Sequence, residues 1–392
     1  MRRVRPPDLS VSFGGEGRLV VRATSRGRAA RVPVFAVAVL AACDEPRSEE
    51  DIAAELGEAG RQLYLGLARA GLLVDPAEAA DTPVFFENFG AVDVHRRMLA
   101  DHVRLDAYEA ALREVVAPGS VVADAGTGSG VLACLAARAG AARVYGIDRS
   151  DLLELAEAVV RRSGLGEVVS LVRGELATVE TAEKVDIIVT ETFGALALAE
   201  GSPADVSAFA ARNLAPGGRV LPQAVQLWLA PVSDPALLDE ALGPFASARG
   251  VDLSPLAALA AGRSVSRVVP PEALAHPGLL VARLDYPACP WPRARLDFGA
   301  IAAGPGRERL TGFAGWFALE LTDTVLLPTG PSDPPTHWRQ VYLPLPGGPA
   351  LDGTALTVEL ELAPAPDDRR SVDASVVWRY GERTARASYR VR

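Results

Sequence analysis

SVVADAGTGSG, residues 120–130, runs a short apolar segment into Asp124 and then into Gly126, Gly128 and Gly130. A buried strand that ends in an acid and turns at once through glycines into a helix opens a parallel α/β sheet. Glycine there lets the backbone pass close beneath a ligand and turn tightly. The spacing is GxGxG, and position 131, where a dinucleotide fingerprint requires glycine, is Val131. That disfavours NAD and FAD. The next strand pattern, ARVYGID, closes on Asp148, and a third, KVDIIVT, runs into Glu191. Ligands of an open parallel sheet lie outside the carboxyl ends of its strands, so Asp124, Asp148 and Glu191 are expected to face one crevice.

Asp148 is placed to accept both hydroxyls of a ribose. An acid before the glycines, no glycine at 131 and an acid ending the next strand together fit S-adenosylmethionine, with S-adenosylhomocysteine as its product. Beyond the third strand lies TETFGALALAE, residues 190–200, small and apolar between Glu191 and Glu200. The next helix is announced only by Ser202-Pro203, with Asp205 in its first turn, so the intervening residues must loop out and return. Glu200 then faces Glu191 across a pocket beside the cofactor. Two converging carboxylates suit a planar guanidinium, whose donors they match in pairs, or a protonated amine.

Farther out, residues 84–222 alternate strand and helix patterns, a Rossmann-like core with helices on both faces of its sheet. From 223 to 392, runs such as AVQLWLAPV, GFAGWFALEL, RQVYLPL, LTVELELA and ASVVWRYG alternate with period two, which predicts an antiparallel barrel or sandwich. Residues 1–80 read as a separate module. LSVSF and RLVVRATS, joined by GGEG, predict a hairpin; three helical stretches follow, Val34 to Ala42, Ser48 to Leu56 with Ser48 as N-cap and Asp51 at N3, and Gly60 to Ala70. Together they make a small winged-helix-like α+β domain.

The chain has 392 residues, 49% of them hydrophobic, enough for two or three full cores. Its net charge of -9 argues against nucleic acid as a partner and suits a cationic substrate. Residues 1–80 hold eleven arginines and eleven acids, so that module offers no phosphate-seeking patch either. The apolar run Val32 to Cys43 is too short to span a bilayer and lacks a secretory cleavage pattern, so no membrane association and a cytoplasmic location are expected. Cys43, Cys134 and Cys289 sit apart among apolar neighbours and read as buried hydrophobes, with no zinc or disulfide framework and no metal site.

TETFGALALAE resembles the double-glutamate loop of the protein arginine methyltransferases, with both acids at the family spacing. THWRQ, from Thr336, is similar to the family's Thr-His-Trp loop, FFENF at 85–89 to its N-terminal aromatic helix, and HRRMLADHVR at 95–104 to the segment that follows. The likeness runs over residues 84–392. It implies α/β architecture: a Rossmann-like class I methyltransferase core plus a C-terminal antiparallel β-barrel, preceded by the winged-helix-like domain. It further implies that Arg104 binds the methionine carboxylate, Asp148 the ribose, and Glu191 and Glu200 the acceptor. His337 would pair with Asp101, Phe86 would contact the cofactor, and Met98, Phe85, Phe89 and Trp338 would line the acceptor pocket. The family's acid near adenine aligns with Ala177, leaving Glu175 or backbone groups to serve the exocyclic amine. DLSPLAALAAG, residues 252–262, falls where the family carries a dimerisation arm, so a homodimer is expected.

Separately, FAVAVLAACDEPRSEEDIAAEL followed by RQLYLGLARAGLLV resembles the peptide-recognition domain typified by the pyrroloquinoline-quinone biosynthesis chaperone. It implies that residues 1–80 hold the leader of a ribosomally made, modified peptide. The expected function is thus S-adenosylmethionine-dependent N-methylation of a cationic nitrogen, an arginine guanidine or an amine, on such a peptide. The alternatives are the same chemistry on a small cationic metabolite, and a non-catalytic peptide-binding scaffold.

Overall fold

The computed structural model describes residues 2–6, 9–13, 18–23, 28–43, 46–76, 97–150, 152–249 and 251–392. The predicted aromatic helix at 85–89, with Phe85, Phe86 and Phe89, lies outside the described residues. The chain divides into two compact units, Met1–Arg96 and Arg97–Arg392.

In the first unit β1 (Leu9–Phe13), β2 (Arg18–Ala23) and β3 (Arg28–Pro33) form an antiparallel meander in that order. The third strand, RAARVP, is absent from the sequence reading: it has one β-branched residue and carries little apolar alternation. Helices α1 (Ala36–Ala42) and α2 (Glu49–Arg69) follow, and Gly57, at φ 69, breaks α2 in two. Three helical stretches therefore exist, as the pattern predicts. Ser48 opens α2 with a capping box: its hydroxyl accepts from the Asp51 amide and the Asp51 carboxylate accepts from the Ser48 amide, which stabilises the helix by about 1 kcal/mol. Val21, Val39, Ile52 and Leu67 close the core between sheet and helices. The result is a small α+β unit whose strands all precede its helices.

The second unit starts with α3 (His102–Val115) and a five-stranded parallel sheet of β4 (Val121–Ala125), β5 (Arg143–Asp148), β6 (Val169–Arg173), β7 (Val185–Thr190) and β8 (Leu214–Leu221). The spatial order is β6-β5-β4-β7-β8, so β4 and β7, which carry Asp124 and lead to Glu191, are neighbours. Alternate residues of each strand face opposite layers. Val122, Val144 and Ile187 pack under α3, α4 (Val131–Arg138) and α5 (Leu153–Arg162); Ala123, Tyr145 and Ile188 pack under α6 (Ser202–Asn213). Both faces are buried, which is why these strands read as nearly continuous apolar runs.

The remainder is antiparallel. β9 (Ala224–Val232) is followed by α7 (Pro235–Leu242), the short pair β10 (Ser247–Ala248) and β11 (Val251–Asp252), and α8 (Ser254–Ala260). Then come β12 (Val265–Arg267), β13 (Leu279–Asp285), β14 (Arg293–Ala302), β15 (Gly312–Glu320), β16 (Leu326–Pro328), β17 (Gln340–Pro344), β18 (Asp352–Ala365), β19 (Asp368–Tyr380) and β20 (Arg383–Val391). The expected barrel is not one continuous ladder. Its strands divide into the sheet β12-β17-β15-β9-β13, with β16 on β15, and the sheet β14-β18-β19-β20. Phe313, Phe317, Leu343, Val358 and Trp378 from both sheets share one core. Each such large apolar side chain contributes roughly 1.5–3 kcal/mol by burial. Among the described residues no helix is long and apolar enough to cross a membrane.

Candidate active site

Asp124 is the next-to-last residue of β4 and is buried. Its Oδ2 accepts from the Thr127 hydroxyl at 2.6 Å and from the Ala133 amide at 2.9 Å, while its Oδ1 has no partner. Burial pushes this carboxyl up to about 7, against the pull of those two donors. An orphaned buried carboxylate oxygen calls for a donor from outside the protein. A ligand ammonium answers both the missing bond and the charge.

The glycine turn supplies the floor. Gly126, Gly128 and Gly130 all adopt left-handed backbone, at φ 85, 51 and 80. The Gly128 amide donates to Asp148 Oδ2 at 2.9 Å and the Ser150 amide to Asp148 Oδ1 at 2.8 Å. Each oxygen keeps a lone pair, so Asp148 can still accept two ribose hydroxyls. Glu175 follows β6 at the same edge, where the neighbouring Gly174 amide donates to the Asp148 carbonyl at 3.0 Å, but it is exposed and 3.5 Å from Arg149. Gly126 has a second role that spacing does not announce: a Cβ there would lie 2.3 Å from Thr192 Cγ2. The cofactor turn and the double-glutamate loop are in contact.

Glu191 is buried, and its partner is Arg104. The guanidinium donates through Nη1 to Glu191 Oε2 and through Nη2 to the Met98 carbonyl at 2.8 Å. The sequence reading assigns Arg104 to the cofactor carboxylate and leaves Glu191 for the acceptor; here the two hold each other. Eighty-seven positions separate them, and no local pattern announces the contact. Arg104 reaches it because α3 is fixed at both turns. Asp101 caps the helix, its Oδ1 accepting from the Arg104 amide at 3.0 Å, and the Tyr108 hydroxyl donates to the Thr190 carbonyl at 2.8 Å.

The same Asp101 holds His337: its Oδ2 accepts from the His337 amide at 2.8 Å and lies 2.9 Å from Nδ1. Burial works to raise the Asp101 carboxyl, but the His337 and Arg104 donors outweigh it and leave it below its usual range. Burial likewise lowers the His337 imidazole, despite Asp101. The neutral ring with its Nδ1 proton on Asp101 follows. Next door, Trp338 donates its indole N–H to the Phe193 carbonyl at 2.7 Å. The Thr-His-Trp loop thus ties the start of α3 to the double-glutamate loop, a linkage that only the fold reveals.

That loop is strained. Leu196, Ala197 and Glu200 adopt φ of 55, 55 and 74, which costs roughly 1–3 kcal/mol each and persists only under constraint from surrounding packing. Glu200 lies against Gly194, where a Cβ would be 2.9 Å from its Oε1. Burial pushes its carboxyl up to about 7, with Arg370 and Arg149 pulling the other way. The two glutamates are therefore not equivalent: Glu191 is paired with an arginine, whereas no described residue hydrogen-bonds Glu200. Among the described residues no cluster of metal-ligating side chains is present, and the three cysteines are buried and form no disulfide.

Residues 122–218 match the model of a methyltransferase domain and residues 223–383 that of the arginine methyltransferase oligomerization subdomain. The probable protein arginine N-methyltransferase 6.2 of Oryza sativa subsp. indica is 30% identical, over 66% of this chain and 75% of its own. Protein arginine N-methyltransferase 6 of Xenopus tropicalis is also 30% identical, over 72% of this chain and 86% of its own. Among solved structures, the Trypanosoma brucei PRMT1 enzyme–prozyme heterotetrameric complex with AdoHcy superposes with a TM-score of 0.70 at 23% identity, covering 78% of this chain and all of that one. Arabidopsis thaliana protein arginine methyltransferase 10 gives 0.67 at 23% identity. Sequence and fold agree: the chain belongs to the protein arginine N-methyltransferase family, the S-adenosylmethionine-dependent enzymes with a methyltransferase core and an antiparallel C-terminal domain.

Proposed function

We propose that this chain methylates an arginine guanidinium of a peptide, and that the peptide is a ribosomally made precursor held by the first unit. One observation carries the arginine reading. Glu191 already binds a guanidinium, that of Arg104, in a buried setting, so its surroundings accept this planar cation.

Bound S-adenosylmethionine supplies a methyl group on a positively charged sulfur. The orphaned Asp124 Oδ1 takes the ammonium of its methionine part, Asp148 the ribose hydroxyls, and Gly126, Gly128 and Gly130 leave room beneath; Glu175 serves the adenine edge. Arg104 keeps Nε, buried and without a hydrogen bond, for the methionine carboxylate. Glu191 and Glu200 orient the acceptor, and positioning of this kind contributes several kcal/mol to the rate. Glu200 receives the proton that the methylated nitrogen gives up. Asp101 and His337 fix the start of α3, and Met98 and Trp338 border the acceptor.

A homodimer belongs to the proposal. Phe245, Leu256 and Leu259 on the α7–α8 arm and Leu155 and Val159 on α5 are exposed apolar residues, and Leu259→Arg should yield a monomer by light scattering. The leader role is supported by the first unit's open meander, in which β1 and β3 each pair only with β2 among the described residues. An extended peptide can add to such an edge. The deciding experiment is mass spectrometry of arginine-containing precursor peptides after incubation with enzyme and labelled cofactor, comparing the full chain with one lacking residues 1–80. Fragmentation should place the added mass on arginine. Equal rates from both chains on full-length precursor would remove the leader role.

A further inference from the structure

We propose that Leu196 is the positioning residue of the acceptor side: seated in a notch left by Gly315 in β15, it holds the loop so that Glu200 meets the acceptor nitrogen. The inference rests on the reading of Glu200 given above and goes one step behind it, to what places that carboxylate.

Leu196 stands midway between the two acids, is 7% exposed, and is itself left-handed. A leucine adopts that backbone only when something else over-determines it. What does so lies in the antiparallel domain. A Cβ on Gly315 would come 2.8 Å from Leu196 Cδ2, 3.7 Å from the Trp228 carbonyl and 3.9 Å from Leu229 Cδ1. Gly315 is not among the left-handed glycines, so its missing side chain serves space, not backbone conformation. Around it β15 is packed with Phe313, Ala314, Trp316 and Phe317, all buried. One glycine in such a strand makes a hole of one side chain, and the tip of Leu196 enters it.

A small apolar cavity bounded by Leu196, Leu229, Gly315, Val341 and Leu343 adjoins the notch. The remaining ties lie on either side: Trp338 on the Phe193 carbonyl, and Ala199, fully buried before Glu200. Removing the leucine tip leaves the left-handed run unsupported between them. It should relax, and Glu200 should turn toward water.

The test uses the full chain with Leu196→Ala, Leu196→Met, Gly315→Val and the double variant Leu196→Ala/Gly315→Val. Leu196→Ala should lower kcat/KM for an arginine peptide by about tenfold or more, through both kcat and KM, with cofactor Kd within about twofold of wild type. The acid limb of its rate profile should move to lower pH as Glu200 gains water, since Arg149 and Arg370, the charges acting on that carboxyl, are unchanged. Amide exchange over 192–200 should accelerate while that over 120–133 stays as in wild type. Leu196→Met should restore all of these, Gly315→Val should disturb them by filling the notch, and the double variant should recover exchange protection by refilling it. Wild-type exchange over 192–200 in Leu196→Ala, or cofactor binding weakened as much as the acceptor's, overturns the proposal. Should the wild type methylate no arginine peptide, the functional reading fails while the exchange arm still decides this one. Should Leu196→Ala not fold, Gly315→Val and Leu196→Met carry the same comparison.

Discussion

The glycine turn after β4 and the double-glutamate loop after β7 leave adjacent strands of one sheet, yet they are built in opposite ways. In the turn, left-handed backbone falls on glycines, which adopt it freely, and Asp148 is held by two backbone amides. In the loop it falls on Leu196, Ala197 and Glu200, which do not, and the segment stands on contacts from the antiparallel domain. The first is a surface fixed by its own chain. The second is a strained segment fixed by another domain, so the two sides of the reaction should fail separately.

The largest separation is expected at the buried pair. Glu191→Gln leaves the Arg104 guanidinium buried with its charge unmatched, which destabilises a fold by about 3–5 kcal/mol. A drop in melting temperature should accompany loss of methyl transfer. Arg104→Met with Glu191→Gln removes both charges and should recover most of the melting temperature but none of the activity. If the single variant melts as the wild type does, the pair is not buried in solution as it is here.

Next in size is Glu200→Gln. Losing the proton acceptor should lower kcat by roughly a hundredfold or more, with cofactor binding intact by calorimetry. Its stability effect has the opposite sign to that of Glu191. The folded Glu200 carboxyl sits near 7, above its ordinary 4.5, so the folded state holds a proton that the unfolded chain releases. Its contribution is present at low pH and is lost as pH rises from 4.5 through about 7. At pH 8 the neutral glutamine should therefore melt no lower than the wild type, and wild-type turnover should rise through about pH 7 as Glu200 ionises. Asp124→Asn, on the cofactor side, should do the complementary thing: weaken cofactor binding by about tenfold, on the scale of one charge-assisted hydrogen bond, while acceptor affinity stays.

This contrast also explains what the sequence discloses. Asp124, the glycines and Asp148 are legible because their geometry is local: strand, acid, turn and the next strand's end follow within thirty residues. Glu191 and Glu200 are legible as a pair, because nine positions with a helix start beyond them force a loop. Their inequivalence is not. It depends on Arg104, set by the cap at Asp101 and the Tyr108 hydroxyl. The strand β3 goes unread for a different reason, since RAARVP pairs through its backbone and buries little of its side chains. Barrel and sandwich both stay open in the sequence because period-two alternation fixes which face is buried, not which neighbour a strand pairs with.

The finest cut falls on the indole of Trp338, which joins the two regimes. Its N–H reaches the Phe193 carbonyl on the strained loop, while its neighbour His337 is held by Asp101 at the start of α3. Trp338→Phe keeps an aromatic ring against Phe317, whose centroid is 5.2 Å away, and deletes one hydrogen bond, an effect of about 1 kcal/mol. If the loop is fixed from the antiparallel domain, that loss should appear as a several-fold rise in acceptor KM with cofactor Kd and melting temperature nearly unchanged. If the loop is fixed by its own strand β7 instead, amide exchange over 192–200 should stay at its wild-type rate, and any change in KM would come from the edge that Trp338 itself presents to the acceptor. The effect is small, but it separates the two accounts at a position that carries no charge and takes no part in proton transfer.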